Sequence, residues 1–200
     1  GGHSEPAQPK PSPSKPATPY PDPYPAPAAR EVVPAGWKRF SPTAGVFSVL
    51  LPGQPEEAVS RTQVFSGTVL TSHAYTASTP GAGYMVAYMT DLPVVAERMP
   101  DNFKQQFYDG MWSGMAEGIR KEMEKRGLLF KVQAGPSRRV SVGGVEGRDQ
   151  FFTIGPLRGR AQMALTGRLA FITFAFWSDD KSTAERIAFF GSFRIRPATP

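Results

Sequence analysis

The 200-residue sequence lacks cysteine and contains only two histidines. Without cysteine, the chain cannot form disulfides, use a thiolate nucleophile or bind a metal through sulfur. A zinc site needs about three or four protein ligands, and His73 is the one histidine outside the N-terminal region. His73 also lies among serines and threonines, with no acidic residue nearby in sequence to orient it as a catalytic base. We therefore expect no metal site, no cofactor and no histidine-based catalytic triad.

Long apolar runs and a secretion signal are also lacking. No stretch approaches the ~20 apolar residues that a membrane-spanning helix requires. The first four residues, Gly-Gly-His-Ser, fit either a tag remnant or the end of a processed chain. We expect an exported protein, located in the periplasm or at the outer surface of a bacterial membrane, whose signal or anchor is not part of this sequence.

Proline, by contrast, is abundant and clusters before Pro42. Residues 4–34 consist mostly of Pro, Ala, Ser and Lys, and such a segment buries too little apolar surface to offset the entropy of ordering it. We predict an extended or disordered spacer over residues 1–36 and one globular domain over residues 37–200. A Pro-rich segment could instead be a ligand for aromatic-lined domains such as SH3, but the spacer is the favoured interpretation.

The net charge of +6 lies in the domain, because acidic and basic residues balance within the spacer over residues 1–36. Six arginines fall within one run of predicted strands: Arg138, Arg139, Arg148, Arg158, Arg160 and Arg168. If those strands are neighbours, they present a cross-strand Arg-rich face that could bind a partner. Nucleic-acid binding requires exposed stacking aromatics, whereas the aromatics here lie mostly in buried-looking runs. The pattern therefore favours an acidic protein or envelope component over nucleic acid, and a solvated basic face without a partner is favoured over both.

Apolar residues recur every four positions from Val95 to Met123, which predicts a long amphipathic helix, most securely over residues 101–125. Gly127 is suited to end it. One face of this helix carries three glycines, Gly110, Gly114 and Gly118. Each lowers the stability of the helix by about 1 kcal/mol relative to alanine. Two explanations stay open. The glycines allow close packing on the protein's own sheet, or they form a helix–helix interface in a homodimer.

The remaining domain reads as strands. Residues 157–177 form a hairpin with a turn at Thr166-Gly167, and its second arm is apolar at almost every position. A strand of that kind is covered on both faces, in the middle of a sheet. A shorter helix over about residues 179–190 and a last short strand follow. We predict an α+β fold with a single, mainly antiparallel sheet, a long amphipathic helix and a shorter C-terminal helix.

These elements resemble a known fold. The motifs FSVLLPG at residue 47, VGGVEGR at residue 142, the Arg-Gly-Arg strand with its apolar hairpin, and GSFRI at residue 191 resemble bacterial exported domains of unassigned function. Their order is similar to that of the PsbP-like α/β/α sandwich, over residues 37–197. The resemblance implies a non-catalytic domain that docks on a larger assembly. It identifies no functional residue in this chain.

Three functions are compatible with these observations. The favoured one is a non-enzymatic, exported binding or assembly-accessory module held on the Pro-rich spacer. The second is a polyanion- or nucleic-acid-binding domain that uses the arginine strands. The third is a hydrolase with an unrecognised carboxylate site at Glu146 or Asp149.

Overall fold

The computed structural model describes residues 32–64, 68–178 and 182–196. Most of the predicted Pro-rich spacer, residues 1–31, lies outside the described residues. The same holds for Asp179 and Asp180, the predicted first turn of the C-terminal helix.

A seven-stranded antiparallel sheet forms the centre of the domain, in the order β3-β4-β5-β9-β8-β7-β6. Its strands are β3 (Glu56–Val64), β4 (Thr68–Thr79), β5 (Ala82–Thr90), β6 (Val132–Val142), β7 (Val145–Ile154), β8 (Leu157–Thr166) and β9 (Leu169–Trp177). A second sheet of three short strands contains β1 (Trp37–Phe40), β2 (Phe47–Pro52) and β10 (Arg194–Ile195), with β2 in the middle. The predicted α+β class and antiparallel sheet are confirmed, and the small second sheet is an addition to the predicted architecture.

The hairpin β8–β9 occupies the position that its composition predicted. β9 lies at the middle of the large sheet, between β5 and β8. Seven of its nine residues are buried, because one face supports the long helix and the other faces the small sheet. The apolar residues of this strand therefore contribute to two cores, one on each face of the large sheet.

Two helices cover opposite faces of the large sheet. Helix α1 (Asp101–Lys125) has the predicted bounds, and Gly127 follows it with a φ of +72°. Tyr108 and Met111 of α1 belong to an apolar cluster on one face of the sheet. Helix α2 (Thr183–Ser192) and the small sheet enclose a second cluster on the other face. The chain is thus a three-layer sandwich with its large sheet in the centre.

The core between the two sheets is built around one aromatic side chain. Phe47 on β2 is fully buried, and its ring lies 5.7–6.4 Å from those of Phe193, Tyr75 and Phe171. Aromatic rings at this separation and tilt contribute beyond the area they bury. Phe47 therefore joins the small sheet, β4 and β9 into one core.

Two elements differ from the sequence prediction. The C-terminal helix continues through Gly191 to Ser192, beyond its predicted end near residue 190. Gly135-Pro136 predicts a break between two strand segments, at residues 128–134 and 138–142. The structure instead has the single strand β6 there, with an irregular register between Ala134 and Ser137. A bulge of this kind lets an edge strand accommodate proline without losing its pairing on both sides. Within the described residues, no helix is both long and apolar enough to cross a bilayer.

Candidate functional site

Helix α1 covers only part of the sheet face on which it lies. Its contacts are with the β6–β7 side, where Arg148 on β7 forms an ion pair with Asp109 and the rings of Trp112 and Phe152 lie 5.3 Å apart. On the other side, towards β5, β4 and β3, a groove of about 1410 Å³ separates the helix from the sheet. It is larger than the roughly 300–1000 Å³ typical of small-ligand pockets. This groove is the candidate functional site.

The three glycines of α1 line the groove. A Cβ atom added at Gly110, Gly114 or Gly118 would have no neighbour within 4 Å. The expectation that these glycines let the helix pack closely on its own sheet is therefore wrong, because the sheet does not reach them. Their effect is to widen the groove along the helix, from Gln106 to Arg126. At 1.5 Å per residue, this path is about 30 Å long.

The groove has one apolar side and one side rich in hydroxyl groups. Five of the seven methionines line it, together with phenylalanines and isoleucines of α1, β5 and β9: Met85, Met89, Met111, Met115, Met123, Phe107, Phe174, Phe176, Ile119 and Ile172. Beyond β5 the floor changes to small and hydroxylated side chains of β3 and β4, including Ser60, Ser72, Thr76 and Ser78. An occupant of this groove would meet flexible thioethers on one side and hydrogen-bonding hydroxyls on the other.

Few charges face the groove. Of the described residues that line it, three carry a charge: Glu56, Glu122 and Arg126. Glu122 and Arg126 neutralise each other in an ion pair of 3.0 Å near the end of α1. The groove therefore provides no concentrated charge for a strongly ionic ligand.

The six arginines singled out from the sequence do not share one face. Neighbouring strands bring them near one another, but residues alternate between the two faces of a strand. Register places Arg138 and Arg160 on the α2 face, opposite Asp149 and Phe151 respectively, whereas Arg139 pairs with Arg148 on the α1 face. The expected continuous Arg-rich face is therefore not formed.

A buried carboxylate accounts for two of these arginines. Asp149 is fully buried and accepts hydrogen bonds from Arg160 Nε at 2.6 Å and from Arg160 Nη2 at 3.1 Å. Arg138 Nε donates to the same carboxylate at 3.1 Å. The guanidinium of Arg160, only 2 % exposed, lies 4.8 Å from the ring centre of Phe190 on α2. This cluster ties β6, β7, β8 and α2 together, and Arg160 is a structural residue.

The other four arginines have different surroundings. Arg148 forms an ion pair with Asp109 of α1, and Arg139 lies 3.9 Å from Asp101 at the start of the same helix. The Arg168 side chain donates to the carbonyl of Leu92 at 3.2 Å. Arg158 is exposed at the start of β8. A partner-binding role for any of them stays a prediction.

The remaining candidates from the sequence are also dispersed. His73 stacks on Tyr88 at 4.7 Å and lies 3.4 Å from Glu57, which also accepts a hydrogen bond from Tyr75. Burial and that bond raise the pKa of Tyr75 above its ordinary value. Glu146 and Asp149, the suggested hydrolase pair, are three positions apart on β7 and so point to opposite faces. In the described part of the chain, no three potential metal ligands cluster together.

Comparisons with known proteins give a likeness of fold. A scan against models of protein families and a search of curated proteins each gave no match. Among solved structures, the cyanobacterial PsbP (CyanoP) of Synechocystis sp. PCC 6803 is 12 % identical, with a TM-score of 0.46 over 84 % of this chain and 98 % of that one. A Bacteroides thetaiotaomicron protein is 14 % identical with a TM-score of 0.41, and the likeness covers 80 % of this chain and 49 % of that one. The PsbP-like resemblance holds at the level of topology. It says nothing about function.

Sequence reasoning did not find the groove, although its signals are visible in the sequence. The glycines recur every four residues beside the methionine stripe of α1, which marks a helix face without bulk. Close packing was the expected use of that face because small residues usually lie where two elements approach closely. Only the distance between α1 and strands β3–β5 distinguishes a packed face from an open one.

Proposed function

We propose that this chain is a non-enzymatic, exported binding module whose ligand lies in the groove between α1 and the sheet. The observation that carries the proposal is the long groove with a methionine-rich wall and a glycine-lined helix. The Cys-free composition and the Pro-rich N-terminal segment support an exported setting, with the segment over residues 1–36 acting as a spacer for the domain over residues 37–200.

The chemistry of the groove supports an amphiphile with a long alkyl part. An extended peptide in it would leave amide groups facing Met and Phe side chains, because the backbones of α1, β4, β5 and β9 are already hydrogen-bonded within the helix and the sheet. An alkyl chain has no such groups to satisfy. A path of about 30 Å equals the hydrocarbon thickness of a bilayer and exceeds the length of one acyl chain.

The two sides of the groove also indicate the polar part of the ligand. Serines and threonines of β3 and β4 can donate and accept hydrogen bonds, and little net charge faces the groove. An uncharged, hydroxylated head group fits that floor better than a phosphate or a quaternary amine. Methionine side chains adapt to ligands of different shape, so the chain length of the alkyl part is not tightly selected.

A displacement assay tests this function. A fluorescent apolar probe such as N-phenyl-1-naphthylamine binds the full chain, and dodecyl maltoside below its micelle concentration displaces the probe. Gly114→Phe fills the middle of the groove and weakens probe binding by at least about tenfold. Ser113→Phe is the matched control, because Ser113 is exposed on α1 outside the groove.

Three results would contradict the proposal. Probe binding that is equal in Gly114→Phe and Ser113→Phe would show that the probe lies elsewhere. Displacement by dodecyl sulfate at much lower concentration than by dodecyl maltoside would contradict the uncharged head group. A mass of two chains in light scattering, reduced to one chain by Gly114→Phe, would identify the glycine face as the homodimer interface instead.

A further inference from the structure

The segment that follows α1 exposes apolar side chains outside the groove. The helix ends at Lys125, and the chain turns at Gly127, whose φ of +72° favours glycine. Leu128 is 40 % exposed and Leu129 is 87 % exposed. Leu129 is the most exposed large apolar side chain among the described residues, and it lies next to a second exposed leucine.

This loop is held in place at both ends. The amide of Gly127 donates to the carbonyl of Glu124, and that of Leu128 to the carbonyl of Met123, each at 2.9 Å. On the far side of the loop, the Phe130 ring packs over Gly155, where an added Cβ would lie 2.7 Å from the ring. The leucines therefore project from an anchored turn, and their exposure follows from the fold.

Basic residues surround the two leucines. Lys121, Lys125 and Arg126 lie on the last turns of α1, and Lys131 follows the loop on its other side. All four side chains are exposed. Glu122 pairs with Arg126 at 3.0 Å and lies 3.9 Å from Lys125, whereas Lys131 faces no acidic side chain among the described residues. From Lys121 to Lys131, four cations and two carboxylates give a net charge of +2.

From this arrangement we propose that the loop Leu128–Lys131 docks this domain on a bilayer that contains anionic lipid. Leu128 and Leu129 enter the acyl region, and the cations of the last helical turns and Lys131 lie at the level of the lipid phosphates. A protein partner would also cover the leucines. Cations on both sides of a short aliphatic tip match the layered chemistry of a lipid surface, with hydrocarbon below the phosphates.

The position of the loop relates the proposal to the groove. Met123 and Arg126 line the groove, so its end at the C-terminus of α1 lies beside the docking loop. The docked domain thus turns this end of its groove towards the bilayer. The docking proposal depends on residues other than those tested for the groove, so either can fail alone.

Vesicle sedimentation of the full chain tests the docking. The chain sediments with phosphatidylcholine vesicles that contain phosphatidylglycerol and binds more weakly to phosphatidylcholine alone. Leu129→Asp lowers the partition coefficient by roughly tenfold or more, and Lys131→Ala lowers it by roughly fivefold. Ile187→Asp is the matched control, because Ile187 is a half-exposed apolar residue on α2, and it leaves partition unchanged.

A site-specific probe provides a second measurement that does not depend on bulk sedimentation. The chain has no cysteine, so Leu129→Cys and Val59→Cys each give a single site for an environment-sensitive dye such as NBD. Anionic vesicles increase the emission from position 129 and leave that from position 59 on β3 unchanged. Wild-type protein that does not sediment with anionic vesicles, or equal loss in Leu129→Asp and Ile187→Asp, would overturn the proposal.

Discussion

The open glycine face of α1 leads to an unusual expectation for stability. Replacing Gly110, Gly114 and Gly118 together by alanine should make the domain more stable. Each glycine occupies a helix interior, where it loses more backbone freedom on folding than alanine does. Each new methyl group enters open space, since no atom outside the adjacent backbone of the helix itself lies within 4 Å of it.

The size of the effect follows from helix propensity. A glycine-to-alanine change at an unstrained helical position is worth about 0.4–1 kcal/mol. The triple variant should therefore gain about 1–3 kcal/mol in the free energy of unfolding. For a domain of this size, 1 kcal/mol corresponds to a shift of roughly 2–4 °C in Tm.

Chemical denaturation followed by circular dichroism measures the gain, with the slope of the transition as a check that the unfolded state is unchanged. Gly83→Ala is the contrasting control, because a Cβ at Gly83 would lie 2.4 Å from the Phe176 ring. That variant should be less stable than wild type. The triple variant should also bind the apolar probe more weakly, as three methyl groups narrow the groove.

The reasoning would be refuted by a triple variant that is less stable than wild type, or as stable. Either result would mean that the glycine face is packed against another surface in solution, as in a homodimer. A stabilised variant that binds the probe as tightly as wild type would separate the two claims. It would confirm the open face and contradict the groove as the binding site.

Two further predictions concern polar contacts. Asp149→Ala should cost about 3–5 kcal/mol in the free energy of unfolding, because it leaves the buried Arg160 guanidinium without its carboxylate. In a denaturation series, the double variant Asp149→Leu with Arg160→Met should lose less free energy of unfolding than Asp149→Ala alone. The backbone amide of Gly167 hydrogen-bonds the carboxylate of Glu97 and lowers its pKa. The stabilisation from this hydrogen bond is fully present above the pKa of an unfolded Glu, about 4.3. It is lost as the pH falls through the lower pKa of Glu97 in the folded domain. Glu97→Gln should therefore destabilise the domain by about 1 kcal/mol or less at neutral pH, since the carboxylate is exposed, and the difference should disappear in acid. A difference that persists in acid would contradict this assignment.

The local pattern of apolar residues was sufficient to predict most of the helices and strands. The four-residue repeat of apolar side chains in α1 and the continuous apolar run of β9 reflect periodicities that any core-facing helix or central strand must have. Their bounds could therefore be read directly. The small sheet could not be predicted in the same way, because β10 has two residues and forms only by pairing with β2, about 145 residues earlier in the chain.

The sequence by itself determined that this chain forms an α+β domain with a long helix on an antiparallel sheet, and that six arginines fall within one run of strands and turns. Tertiary structure decided what those features do. Strand alternation sent the arginines to both faces and buried Arg160 against Asp149. The distance between α1 and strands β3–β5 left Gly110, Gly114 and Gly118 facing open space. Neither outcome is encoded locally, since both depend on how far apart two elements pack and which way their faces turn.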